Sequence, residues 1–430
     1  MIREIAVLTL LFSVFVLTLN GQGLLLMSED EISDSPQMEV DVAGFSTNFP
    51  SRHNMLKYAP PALYQEGGTC VGFAATYCAQ STMMNKSTGT THPNHKYVVC
   101  MDPYFIYSLN NSGTLDPCNE GMHFVDLFEG METFGNMRDL YPPDLECSSN
   151  WLDSNGELDD RYLKYFKTSL PFRISEWGNL DLSGPDWKNS MKYFLSNDIP
   201  VIIGAMINDD FSPASYGGQI GKDGLWNYTS SNNGELGGHA MCVIGYDDTR
   251  SGGAFLVRNS WGNEFGLNGN VWIKYNDFRN VVAEAWVIVP ENYLEYEYSS
   301  GDYEFEFKDI GLSGVTYGRA VHEGVTYEGL YAEGEQVWAF ELYADGGVYF
   351  GQFIDFVKHG KGVYFDENSE RYKVLCKNGE AVDVQKGFAS SEGSEISRED
   401  EEHLNLVLGD DDGWLEFDGE LPNVNYRVKN

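Results

Sequence analysis

The pattern of apolar positions changes texture near residue 200. Before it, the clearest signals are helical. From Gly68 to Gln80 there is no proline and apolar residues surround the helical axis. Ala74, Ala75 and Ala79 are strong helix formers, so this stretch predicts a buried helix. Trp187 to Leu195 predicts a second helix, ending before Pro200, and Gly121 to Phe134 a third. After Pro200 the apolar runs become short and continuous: Val201 to Ile207, His239 to Tyr246 and Ala254 to Arg258. Such runs, bounded by turn residues, read as buried strands. The last two flank Asp247-Asp248-Thr249-Arg250-Ser251-Gly252-Gly253, which is turn chemistry, so they predict an antiparallel hairpin. Helices first and strands second point to an α+β fold of two packed subdomains.

Both ends of the chain differ from this centre. Residues 1–21 hold Arg3 and then an uncharged, mostly apolar run from Ile5 to Leu19. The run is short for a membrane span and reads as a removable export signal. The acidic stretch Ser28 to Glu39 reads as a mobile leader or linker. From about Leu294 the chain repeats itself. His322-Glu323-Gly324-Val325-Thr326-Tyr327-Glu328-Gly329-Leu330-Tyr331 aligns with Ala344-Asp345-Gly346-Gly347-Val348-Tyr349-Phe350-Gly351-Gln352-Phe353, and weaker copies centre on Tyr372 and Tyr303. A period of about 22 to 24 residues predicts stacked β-hairpins with glycine at their turns. The expected layout is therefore a signal peptide over 1–21, a leader over 22–50, the main domain over 51–293 and a hairpin-repeat region over 294–430.

Charge narrows the partners. The 430 residues carry a formal charge of -37. A chain this acidic, with no basic tract, repels phosphate backbones, so nucleic acid is excluded as a partner. The tail holds about thirty acidic residues against about eleven basic ones. No stretch after the signal is apolar enough to span a bilayer, so no stable membrane insertion is expected. There are seven cysteines: Cys70, Cys78, Cys100, Cys118, Cys147, Cys242 and Cys376. In an exported protein an odd count suggests one free thiol and up to three bridges of undetermined connectivity. Cys242, inside an apolar strand, reads as buried and reduced.

The hairpin has a chemical consequence. Pairing Asp247 with Ala254 at the turn sets position 259 opposite about position 242, within a few residues of His239. A histidine and an asparagine thus become neighbours through local structure alone. Cys70 lies near the start of the buried helix, where unpaired N–H groups and the helix dipole favour a thiolate. A thiol is largely protonated at neutral pH, and a base that removes its proton creates a strong nucleophile. The same imidazolium can return the proton to a leaving amine.

These segments resemble the papain-like cysteine peptidases. Gln65-Glu66-Gly67-Gly68-Thr69-Cys70-Val71-Gly72-Phe73-Ala74 is similar to their nucleophile segment. Gly237-Gly238-His239-Ala240-Met241-Cys242-Val243-Ile244-Gly245-Tyr246 is similar to their histidine strand, and Asn259-Ser260-Trp261-Gly262 to their asparagine segment. The order Gln, Cys, His, Asn also agrees, and the likeness runs from about Pro60 to Pro290. The resemblance implies a papain-like fold, with a helical left half and an antiparallel β right half. It implies secreted hydrolysis of peptide bonds through a Cys70 thioester, without metal or organic cofactor. Cys70 would be the nucleophile and His239 the base and then the acid. Asn259 would orient His239, and Trp261 would shield their hydrogen bond. Gln65 and the Cys70 N–H would form the oxyanion hole.

Three departures accompany it. Gln65 lies one residue closer to Cys70 than is usual in papain, Val71-Gly72 stand where Trp-Ala is usual, and Gly67 stands where many relatives have a cysteine. The helical pro-segment motifs of the animal and plant enzymes are absent, so any inhibitory leader must lie between Gln22 and Lys57. The repeat tail resembles MORN repeats through Tyr327-Glu328-Gly329 and Tyr349-Phe350-Gly351, implying a contact surface for a protein or other surface partner. The competing functions are a catalytically inactive scaffold that acts through this tail and another acyl transfer, such as transamidation. His92 and His95 are too few for a metal site. Asp153-Ser154-Asn155-Gly156 lacks the full ligand ladder of a calcium loop and reads as a turn.

Overall fold

The computed structural model describes residues 23–38, 49–138, 146–155, 159, 168–229, 237–291 and, except 292–295, 301–302, 313–314, 323, 333–334, 355–356 and 369, those on to 386. The predicted export signal and residues 387–430 lie outside them. Among the described residues no helix is long and apolar enough to cross a membrane.

The first half is helical. A short helix, α1 (Glu29–Asp34), is followed by a strand, β1 (Arg52–Asn54). The helix α2 opens at Cys70–Gly72, widens into π turns over Phe73–Gln80 and returns to α geometry through Ser81–Ser87. Then come α3 (Pro93–Val98), α4 (Phe105–Asn110) and α5 (Phe124–Phe134). The predicted all-round burial of α2 is met: Cys70 through Thr82 are all buried. α5 starts three residues later than predicted, because Gly121 adopts φ 72°, which no helix accommodates.

The second half is a sheet. It contains β2 (Ile174–Asn179), a helix α6 (Trp187–Ser196), β3 (Val201–Ile207), β4 (Gly237–Asp247), β5 (Ala254–Arg258), β6 (Asn270–Lys274), a helix α7 (Tyr275–Val281) and β7 (Val282–Pro290). The strand order is β2-β7-β3-β4-β5-β6, with β1 paired to β4 and each pairing antiparallel. β3 and β4 pack against α2 and against α6. Strands covered on both faces need apolar side chains at every position, which explains their unbroken runs. An aromatic cluster joins the two halves a second time: Phe128 of α5 lies 5.8 Å from Trp286 of β7, which is 6.1 Å from Trp177 of β2.

Among the described residues the tail is one antiparallel meander of nine strands. They are β8 (Tyr296–Ser300), β9 (Tyr303–Leu312), β10 (Val315–His322), β11 (Val325–Ala332), β12 (Glu335–Leu342), β13 (Val348–Ile354), β14 (Val357–Phe365), β15 (Arg371–Lys377) and β16 (Glu380–Lys386). Hairpins were expected and are present. Gly324, Gly346 and Gly379 do occupy turns at positive φ. The glycine of each Tyr-x-Gly unit, however, lies in mid-strand. Gly351 pairs with Gly362, and a Cβ on either would stand 2.5 Å from the Tyr349 side chain. Bare backbone there lets the tyrosine lie flat on the sheet.

The meander docks on the helical half through a buried ion pair. Arg138 and Glu328 are 3% and 4% exposed at their side chains and bond directly. Arg138 also donates to the Val99 carbonyl and stacks 5.0 Å from the Phe172 ring, while Tyr317 Oη–H donates to Glu328 at 2.7 Å. Removing one partner strands a buried charge, which costs about 3–5 kcal/mol. Glu328→Ala is therefore expected to lower the denaturant midpoint strongly, with Glu328→Gln intermediate. Unchanged unfolding curves for Glu328→Ala would refute that assignment.

Of the three bridges the cysteine count allowed, one forms: Cys118–Cys147. The other five thiols are free and buried. Cys78 and Cys242 hydrogen-bond to each other as thiols between α2 and β4. Cys100 instead donates to the Tyr97 carbonyl, and Cys376 sits in the tail sheet.

Candidate active site

The hairpin brings His239 and Asn259 together as its turn predicts. Asp247 faces Ala254, the expected closing pair. A register shift between Val243 and Gly245 then moves the pairing by one, so Cys242 faces Arg258 rather than Asn259. Asn259 thus falls one residue past β5. His239 Nε2 lies 2.8 Å from Asn259 Oδ1. The backbone N–H of Ser260 donates to the same oxygen at 2.8 Å. That donor fixes the amide orientation, so Oδ1 is the acceptor and His239 carries its proton on Nε2. Nδ1 is then the basic nitrogen. Trp261 lies 4.8 Å from the imidazole at 31°, a cover for the His–Asn bond.

Cys70 meets this strand across the interface between the halves. Ala240, the residue after His239, directs its N–H at Cys70 Sγ from 3.4 Å. The thiol is buried, which pushes its pKa above the ordinary value, while the N–H groups of Ala240, Gly23, Cys70 and Val71 pull the other way. The π-widened turns directly after Cys70 are a feature often found at functional positions. Gly72 is required there: a Cβ would stand 2.0 Å from the Pro103 carbonyl. The close approach of Pro103 accounts for the small residue where a larger one is usual.

Gln65 is buried beside this group, but its amide is engaged locally. Nε2 donates to the Gly67 carbonyl at 2.8 Å, and Oε1 accepts from Ser260 Oγ at 2.5 Å. The shorter spacing therefore ties Gln65 to the asparagine segment as well as to its own loop.

The leader holds the feature that sequence reasoning located only by elimination. Its described residues, 23–38, form a strap that passes over Cys70. Gly23, Leu24 and Leu25 run between the two halves. Leu24 N–H donates to the Gly238 carbonyl at 3.2 Å, Met122 N–H to the Gly23 carbonyl at 2.8 Å and Leu25 N–H to the Met122 carbonyl at 3.0 Å. The strap continues into α1, closed by a Ser28–Glu31 capping box, and ends at Met38 N–H on the Asn179 carbonyl at 2.8 Å. Gly23 lies so close to the nucleophile loop that its Cβ would sit 1.6 Å from the Gly68 oxygen. Under this strap Cys70 and His239 are fully buried. No motif marks it in sequence; Gly23 alone, against Gly67-Gly68, was a weak hint.

His92 and His95 serve locally. His92 caps α3 by accepting the Asn94 N–H, and its ring lies 4.9 Å from that of His95, tilted by 45°. Asp153 likewise accepts the Asn155 N–H, as in an ordinary turn.

Residues 183–289, which hold His239, Asn259 and strands β3 to β6, match the papain family of cysteine proteases. An uncharacterised peptidase C1-like protein of Acanthamoeba polyphaga mimivirus is 32% identical over 100 residues, or 23% of this chain and 30% of that protein's length. Among solved structures, xylellain, a cysteine protease from Xylella fastidiosa, aligns with TM-score 0.46 and 18% identity over 63% of this chain and 96% of its own. The digestive procathepsin L 3 of Tenebrio molitor larval midgut aligns with TM-score 0.42 and 16% identity over 63% and 76%. The match to the papain family thus covers the segment that bears His239 and Asn259.

Proposed function

We propose that this protein is a cysteine endopeptidase that hydrolyses peptide bonds through a thioester on Cys70, as an exported enzyme whose working domain spans 51–293. The observation that carries the reading is the junction of the Cys70 helix tip with the His239–Asn259 pair, made through the Ala240 N–H. Asn259 holds Nε2–H, so Nδ1 is the nitrogen that takes the Cys70 proton. The thiolate then adds to the scissile carbonyl, and N–H groups at the start of α2, including that of Cys70, support the oxyanion. His239 returns its proton to the departing amine as the C–N bond breaks. Water, deprotonated by His239, cleaves the thioester and restores the thiol. Gln65 is the second oxyanion donor beside the Cys70 N–H, its amide positioned by Gly67 and Ser260. The tail contributes a contact surface for a protein or other surface partner.

The test is product analysis on a peptide library with an added amine acceptor. Free carboxyl products support hydrolysis, amine adducts point to transamidation, and the absence of any cleavage by protein with its strap displaced ends the peptidase reading. Asn259→Ala should lower kcat by on the order of ten- to a hundredfold, part of the 10²–10⁴ that positioned proton transfer contributes. Undiminished kcat would remove Asn259 from the mechanism.

A further inference from the structure

Two thiols meet across the seam between the halves without any part in the Cys70 chemistry. Cys78 lies on α2, the helix that opens at Cys70, and Cys242 lies on β4, the strand that carries His239. Both are buried, and Cys242 donates its hydrogen bond to Cys78. A buried cation lies beside them. Arg258 is 8% exposed and faces Cys242 in the β4–β5 register. Its Nε–H donates to Asn270 Oδ1 at 2.8 Å and its Nη1–H to the Pro60 carbonyl. Both acceptors are neutral, and among the described residues no carboxylate pairs with this guanidinium. A charge taken out of water is costly unless an opposite charge meets it.

Cys78 is placed to supply that charge. Burial raises its thiol, but the bond from Cys242, the Arg258 guanidinium and the Thr82 hydroxyl draw it below the ordinary value. Burial and the Cys78 sulfur push Cys242 well above it. One sulfur is therefore the nucleophile, and the other holds its proton beside it. A cavity of about 10 Å³ adjoins Cys78, with Tyr77, Met241, Arg258 and Asn259 in its wall. That volume admits about one water-sized molecule. The pair is thus closed to bulky reagents and open to the smallest ones.

We propose that Cys78 and Cys242 form a redox-active dithiol, which hydrogen peroxide converts to a disulfide that staples α2 to β4. The Cys78 thiolate attacks one peroxide oxygen and the O–O bond breaks. Cys78 becomes a sulfenic acid, and the departing hydroxide takes up the proton that Cys78 gave. Cys242 then attacks the Cys78 sulfur, the S–O bond breaks, and water leaves with the Cys242 proton. In sum two thiols lose two electrons and two protons, and the peroxide becomes two molecules of water. Arg258 stabilises the thiolate and stays unchanged. The new bond joins the helix of Cys70 to the strand of His239, so the two halves no longer part along that seam. None of this depends on whether the protein cleaves peptides.

The test uses the full chain with Cys70→Ser, which keeps the third thiol of this region out of the chemistry. The folded protein is reduced, freed of reductant, exposed to hydrogen peroxide and mapped by mass spectrometry without further reduction. The expected product is a peptide pair joined through Cys78 and Cys242, with a thermal midpoint several degrees above that of the reduced protein. Recovery of the two thiols unlinked, or of Cys78 as sulfinic acid with Cys242 untouched, overturns the proposal. In Cys242→Ser, dimedone should capture a sulfenic acid at Cys78; in Cys78→Ser, Cys242 should remain a thiol. Capture at Cys242 overturns the assigned order. Arg258→Met should slow the linkage by about tenfold or more, and Arg258→Lys should restore most of the rate. An unchanged rate in Arg258→Met removes the guanidinium from the site. The cysteine variants leave Arg258 in place, so they decide the matter even where Arg258→Met fails to fold.

Discussion

Cys70→Ala is expected to abolish peptide cleavage, lowering kcat/KM by on the order of 10⁴-fold or more, because the residue that forms the covalent bond leaves no substitute. That is a barrier increase of about 5.5 kcal/mol. The fold should tolerate the change, since one neutral acceptor for the Ala240 N–H is lost, at about 1–3 kcal/mol. Cys70→Ser keeps an acceptor at that position and serves as the structural control; it should fold like wild type and cleave as poorly as alanine. Labelling by an electrophilic thiol reagent should disappear from the active-site peptide in both variants. Residual cleavage within tenfold of wild type in Cys70→Ala would transfer catalysis to another residue.

The second large effect concerns the strap. Gly23→Val sets a branched side chain where even a Cβ would stand 1.6 Å from the Gly68 oxygen, so the strap must leave its seat. Overpacking of this kind costs about 1–3 kcal/mol. Each 1.4 kcal/mol changes an equilibrium tenfold, so the exposed fraction of Cys70 should rise by about ten- to a hundredfold. Iodoacetamide labelling of Cys70 in the full chain reads this directly. With the strap seated, burial holds the thiol above its ordinary pKa, so labelling should climb with pH well into the alkaline range. With the strap displaced, that burial cost falls and the profile should shift to lower pH. Equal labelling rates in folded wild type and Gly23→Val would show that Gly23 does not close the site.

Much of the catalytic arrangement is legible along the chain because its parts are local. The Cys70 helix declares itself by uninterrupted apolar residues without proline. The His239–Asn259 meeting follows from one turn between two strands, and the prediction erred by a single residue where a register shift enters the ladder. The Tyr-x-Gly repeats announce hairpins, although the glycines between tyrosines serve the flat rings rather than the turns.

By itself, then, the sequence determined the two-part architecture, the buried Cys70 helix, the hairpin that joins His239 to Asn259, and the repeating sheet, since each is encoded by neighbours within a few tens of residues. Only the tertiary structure decided which thiols pair, where the Gln65 amide points, that Gly23–Leu25 lies across Cys70, and that Cys78 meets Cys242 beside Arg258. Those contacts join segments up to about 200 residues apart. Their energies depend on burial, close approach and unshared hydrogen bonds, quantities that no single stretch of chain carries until the whole has packed.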